Sequence, residues 1–185
     1  MTKKKKGKSQ PSKKVGRNKP NTERKVLWAP WRMAVIEQYR NSSSCILCGI
    51  RDDRDNSRTL IIHRTKLSYV VMNRFPYSSG HLMVVPNRHI GDWEDLSKDE
   101  SLEIMSLSQS CIKVLRECMG AQGFNVGANL GAVAGAGIAD HVHMHIVPRW
   151  QGDINFMPLF SEVKIISEHL DDTYLKICQA WRKCA

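Results

Sequence analysis

The chain has 185 residues and an apolar fraction of 42%, which is enough for one domain with a real core plus a tail. No apolar run approaches the roughly 18 residues that a membrane span requires, and the lysine-rich N-terminus has no apolar segment behind it to make a secretory signal. The formal net charge of +10 lies wholly in residues 1–25, which hold nine Lys, two Arg and one Glu, so the balanced remainder gives no general reason to expect a nucleic-acid-binding surface.

Residues 1–25 are Lys, Ser, Asn and Pro with little to bury, and a disordered tail is expected there. Any contact with nucleic acid would come through this tail. Residues 26–185 read as one domain. It opens at Val26-Leu27-Trp28-Ala29-Pro30-Trp31-Arg32, where two tryptophans around a proline suggest a docked entry segment, and a short helix from Met33 to Tyr39 follows. Next comes Cys45-Ile46-Leu47-Cys48-Gly49, a tight knuckle that lets two thiolates face one metal ion. The other four cysteines are scattered singles. With no export signal, this usage predicts metal binding plus reduced thiols, and hence a cytoplasmic protein.

Residues 59–63 and 67–72 are rich in β-branched and aromatic side chains and predict paired strands. A loop bounded by proline and glycine runs from Asn73 to Gly80, and a strand from His81 to Val85 is ended by Pro86. Ser97-Lys98-Asp99-Glu100 supplies a capping box for a helix on which Ile104, Leu107, Cys111, Val114, Leu115 and Cys118 recur at helical spacing. A strand is expected over 124–130, a small-residue loop over 131–139, and a closing amphipathic helix along Val163, Ile166, Leu170, Tyr174, Ile177 and Trp181. Antiparallel strands with two long helices make this an α+β domain.

The chemistry is concentrated in His141-Val142-His143-Met144-His145-Ile146-Val147-Pro148. Period-two alternation predicts a strand with three imidazoles on one face and Val142, Met144 and Ile146 on the other. At ~3.3 Å per residue, neighbouring imidazoles start about 6.6 Å apart and the outer two about 13 Å apart. Neighbours can therefore act on one phosphate, whereas the outer two cannot readily converge on one phosphorus. Histidine is a competent nucleophile toward phosphorus because its neutral form is well populated near neutral pH. The backbone N–H groups of Gly135, Ala136, Gly137 and Ile138, just before the histidines, can approach phosphate oxygens without side-chain obstruction.

This histidine stretch resembles the signature of the histidine triad family of nucleotide hydrolases and transferases. Asn73-Arg74-Phe75-Pro76 through Gly80-His81-Leu82-Met83-Val84-Val85-Pro86 is similar to the family's other strand–loop–strand segment. Leu27 to Arg32, Pro148-Arg149-Trp150 and Gly152-Asp153-Ile154-Asn155-Phe156 resemble the branch that contains diadenosine tetraphosphate phosphorylases. The resemblance implies a five-stranded antiparallel sheet with flanking helices, dimerising through the long helix and the sheet edge. It implies His143 as nucleophile, His145 at the scissile phosphate or bridging oxygen, Asn73 at the ribose hydroxyls and Asn129 near the nucleotide phosphate. Gly137 and Ile138 stand where well-studied dinucleoside triphosphate hydrolases carry a Gln and a hydroxyl residue, which removes two side-chain phosphate contacts. Family members with a matching C-x-x-C bind structural zinc with two further histidines, which are His89 and His141 here. His63 and His81 are alternatives for the fourth ligand. The activity implied is cleavage of dinucleoside polyphosphates through a nucleotidyl-histidine. The alternatives are a nucleoside phosphoramidate or dinucleoside triphosphate hydrolase, or a zinc-stabilised nucleotide- or RNA-binding module.

Overall fold

Five antiparallel strands form a single sheet in the order β1-β2-β3-β5-β4. They are β1 (Ile61–Arg64), β2 (Ser68–Met72), β3 (Leu82–Pro86), β4 (Gly123–Gly127) and β5 (Met144–Arg149). Among the described residues four helices accompany them: α1 (Ile46–Asp52), α2 (Asn56–Thr59), α3 (Lys98–Met119) and α4 (Leu170–Cys184). The computed structural model describes residues 45–153 and 168–184. The tail 1–25, the Trp28–Trp31 entry segment, the helix expected over 33–39, and Val163 and Ile166 lie outside the described residues. Among the described residues no helix is long and apolar enough to cross a membrane.

The sheet is covered on both faces, which is why β2 (SYVVM) and β3 (LMVVP) are buried throughout instead of alternating. One face carries the main core, where Val70, Met72, Leu82, Val84, Met144 and Ile146 meet Ile104, Leu107, Val114 and Leu115 of α3 and Ile177 and Trp181 of α4. Each such aliphatic side chain stabilises the fold by roughly 1.5–3 kcal/mol on burial. On the other face Ile61, Tyr69, Val71, Met83 and Val85 pack under Leu47 of α1. The helix that carries the C-x-x-C pair therefore sits on the face opposite α3.

The expected capping box is formed at the start of α3. The Ser97 side chain accepts from Glu100 N, Glu100 reaches back to the Ser97 N–H, and Gly120 ends the helix in the left-handed region at φ 60°. Gly80 is also left-handed (φ 75°), and a Cβ there would lie 2.5 Å from the Met119 sulfur, so the loop before β3 lies directly against the end of α3.

Three strand boundaries differ by two residues or more from those read in the sequence. β1 starts at Ile61 because Thr59 closes the short helix α2, Leu60 is left-handed at φ 63°, and a register shift separates Ile61 from His63. β4 stops at Gly127, and residues 128–130 run into a loop with a 3-10 turn at Ala132–Ala134. The histidine strand begins at Met144 and not at His141. Val84 pairs with Met144, but Pro86 has no N–H with which to continue the ladder. Residues 141–143 turn instead toward the segment after β3, where Val142 N donates to Ile90 O at 2.7 Å. The three imidazoles are thus not one row on one strand.

Glu100 also receives Arg88, whose Nε and Nη2 lie 3.1 and 2.8 Å from its carboxylate. The Arg88 bond is the main cause that holds this buried carboxyl at about 2, well below the ordinary 4.5. A carboxyl depressed on folding adds stability above the ordinary value and loses it as pH falls toward the folded one. Arg88→Met should lower the thermal midpoint at neutral pH and should flatten its acid dependence between pH 4.5 and 2. Thermal denaturation over that pH range reads both effects.

Candidate active site and metal-ligand cluster

His141 is fully buried at the end of the 131–140 loop. Its Nε2 lies 3.0 Å from the Pro86 carbonyl, which can only accept, so Nε2 carries the proton and Nδ1 keeps its lone pair. Nδ1 lies 3.4 Å from Cys45 Sγ and 3.6 Å from Cys48 Sγ, and His89 Nδ1 lies 3.5 Å from Cys48 Sγ. The four ligand atoms of Cys45, Cys48, His89 and His141 all fall within 4.8 Å of one another, and these residues could hold a metal ion. Bond lengths of ~2.3 Å to sulfur and ~2.05 Å to nitrogen in a tetrahedron imply S···N edges of about 3.5 Å. The spacing found matches that edge. Burial pushes His141 down to about 4, which leaves the neutral imidazole that metal binding requires.

The two alternative ligands lie elsewhere. His63 stacks on Trp181 of α4, centroid to centroid 5.2 Å. His81 is fully buried, with its Nε2 3.0 Å from His145 Nδ1.

His143 points its Nδ1 at the carbonyl of His141, 2.9 Å away. The carbonyl accepts, so Nδ1 is protonated and the lone pair sits on Nε2. Burial lowers the pKa of His143 and keeps the ring neutral. The neighbouring ring of His145 is edge-on to it with centroids 4.7 Å apart. The tautomer of His145 follows from His81. Tyr77 N donates to His81 Nδ1 at 3.1 Å, which puts the His81 proton on Nε2 and makes it the donor to His145 Nδ1. His145 then carries its own proton on Nε2. Two adjacent imidazoles hence have opposite polarity, a nucleophilic Nε2 on His143 and a donor Nε2–H on His145.

Sequence reasoning did not assign His81 and Tyr77 to this site. The signal lies in the register, where Met83 of β3 pairs with His145 of β5 and so brings position 81 alongside the histidine strand. Nothing in the sequence specifies that pairing.

The nucleotide-contact candidates fall into two groups. His145 and Asn129 line one open cleft of about 930 Å³ together with Tyr77, Ser78, Asn125 and Arg149. Asn73 does not line it. Asn73 follows β2, donates its N–H to His81 O, and accepts from Phe75 N through Oδ1. Asn129 Nδ2 spans the glycine loop to Gly135 O at 3.3 Å. Within that loop the N–H groups of Gly135 and Ala136 already donate to Ala132 O and Gly131 O. Of the four N–H groups read as a phosphate cradle, this leaves those of Gly137 and Ile138 without a bond to the described residues. The Ile138 side chain packs on the Tyr69–Val85 cluster.

The sheet thus sets two oppositely polarised imidazoles side by side, next to a two-cysteine, two-histidine cluster. The chain belongs to the HIT-domain family, whose sequence model matches residues 54–152. It is 39% identical over 164 residues to a Mycobacterium tuberculosis protein named AP-4-A phosphorylase, covering 85% of this chain and 84% of that one. It is 31% identical over 116 residues to a Schizosaccharomyces pombe protein named bis(5'-nucleosyl)-tetraphosphatase [asymmetrical], covering 62% and 63% of the two chains. Among solved structures, the Zn-bound histidine triad family protein from Mycobacterium smegmatis shares the fold at a TM-score of 0.61 and 22% identity, over 76% of this chain and 94% of that one.

The tautomers can be read directly. Long-range ¹H–¹⁵N correlation of the imidazoles at neutral pH should show His143 as the Nδ1–H form and both His81 and His145 as Nε2–H. An Nδ1–H signal for His145 would contradict the assignment.

Proposed function

We propose that this protein is a nucleotidyl-transferring enzyme that cleaves dinucleoside polyphosphates of the diadenosine tetraphosphate type, most simply as a phosphorylase. The observation that carries the reading is the opposed polarity of His143 and His145. In the first step His143 Nε2 attacks the α-phosphorus, a P–N bond forms and the bridging P–O bond breaks, and the leaving oxygen departs as a phosphate anion that accepts a hydrogen bond from His145 Nε2–H. In the second step an acceptor oxygen attacks the nucleotidyl-histidine, the P–N bond breaks, and His143 recovers its lone pair. With inorganic phosphate as acceptor, diadenosine tetraphosphate gives ATP and then ADP. Asn73 would hold the ribose hydroxyls, while Asn129 and the N–H groups of Gly137 and Ile138 would lie along the phosphates. The relatives named as a phosphorylase and a tetraphosphatase support this substrate class.

Cys45, Cys48, His89 and His141 would hold zinc as a structural ion, a reading supported by three S···N spacings of 3.4, 3.5 and 3.6 Å and by the zinc in the M. smegmatis protein. Bound there, the ion would fix the loop that bears the His141 carbonyl. A homodimer is proposed through α3 and the β4 edge, where Leu102, Met105 and Val126 are exposed. All six cysteines are free thiols, in keeping with a cytoplasmic setting.

His143→Ala should reduce turnover of diadenosine tetraphosphate by at least about 10³-fold, as loss of a covalent nucleophile does. Resolving the wild-type products with and without inorganic phosphate tests the acceptor. ADP with ATP, appearing only when phosphate is present, is the expected result; AMP with ATP would make the protein a hydrolase, and full activity of His143→Ala would remove the mechanism. Sedimentation of the full chain should give twice the monomer mass.

A further inference from the structure

Helix α1 carries the thiolate pair but has few means of holding itself in place. It is seven residues long, its N-cap Cys45 makes no side-chain cap, and Leu47 is its one buried residue. A helix of two turns is not stable alone in water, and its last carbonyls need partners from elsewhere.

The sheet supplies those partners from a single cross-strand pair. Arg64 of β1 and Tyr69 of β2 are in register, so both side chains rise from the same face toward α1. The Arg64 guanidinium donates through Nη1 to Arg51 O and through Nη2 to Asp53 O, both at 2.6 Å, and through Nε to Asn56 Oδ1 at 2.9 Å. A cation at this end also complements the helix dipole. The buried Tyr69 hydroxyl donates to Leu47 O at 2.8 Å, inside the C-x-x-C turn itself. Two strand residues thus grip the backbone between and just after the two cysteines.

We propose that Arg64, with Tyr69 beside it, is a positioning residue for the metal, presetting Cys45 and Cys48 against His89 and His141 before an ion arrives. The inference rests on the metal reading of that cluster. A preset ligand pair spends little of the binding free energy on ordering the chain. The planar fork matters here, because three acceptors in different directions match five fixed N–H donors and not one ammonium.

The test is a Co²⁺ titration of the metal-stripped full-length chain, followed by its thiolate-to-cobalt absorption in competition with a chelator of known affinity, with the thermal midpoint of the metal-free protein measured alongside. Arg64→Ala should weaken Co²⁺ binding about 10–100-fold, the range for residues that orient metal ligands. Arg64→Lys should weaken it at least about fivefold, and Tyr69→Phe by about the same, as loss of one hydrogen bond does. Wild-type affinity in the Arg64 variants overturns the proposal, and so does a lower thermal midpoint with unchanged affinity, which is what a merely structural role gives. If Arg64→Ala does not fold, Arg64→Lys decides. Absence of the thiolate–cobalt band in the wild type would remove the metal assignment and this proposal with it, whereas a normal wild-type band with unaltered variants removes only the role of Arg64.

Discussion

The hydrogen bond from His143 Nδ1 to the carbonyl of His141 ties together two sites that otherwise share no atom. A carbonyl has no proton to give, so this contact alone decides which nitrogen of His143 keeps a lone pair. The residue that owns the carbonyl is also the most deeply placed member of the two-cysteine, two-histidine cluster. Its ring is fixed from behind by another carbonyl, that of Pro86. Two carbonyls, of Pro86 and His141, thus orient the two imidazoles, and each ring keeps its lone pair on the nitrogen away from its carbonyl.

Pro86 shapes this corner twice. Lacking an N–H, it ends the ladder that β3 would share with β5 and frees residues 141–143 to leave the sheet. Its oxygen then accepts the His141 ring. The following residues are held nearly as firmly, with Asn87 Nδ2 bonded to Thr65 O and Lys66 O and Arg88 bonded to Glu100 at the start of α3. His89 therefore extends from a segment anchored on both the β1–β2 turn and the long helix.

Much of the fold was legible in the sequence because its signals are local. The capping box at Ser97 and Glu100, the apolar stripe of α3 and the strands around Val70 and Val84 each follow from spacing within one element. The boundaries that shifted depend on tertiary contacts. Alternation at 141–148 looks like one continuous strand, and only the partner at Ile90 reveals that its first three residues are not part of it. The site was legible in the same uneven way. The histidines and the C-x-x-C stand out by residue type, and the resemblance sorted them into roles. His81 was read only as an alternative metal ligand, because its neighbour His145 is 64 residues away and is met only through strand register. Arg64 escaped notice for a similar reason, since a charged residue at the end of a strand is ordinary until its three acceptors are seen.

The four-residue cluster also has a meaning for the unfolded chain. Cys48 and His89 are 41 positions apart, and Cys45 and His141 are 96 apart. An ion held there would act as a cross-link closing nested loops that span most of the sheet. By the chain-entropy estimate, closing a loop of ~100 residues restricts the unfolded ensemble by roughly 4–5 kcal/mol. Helices α3 and α4 differ in their relation to that staple, because α3 lies inside the largest loop and α4 beyond its end. In the metal-bound chain, α4 is the long helix that could peel from the sheet without the cross-link opposing it.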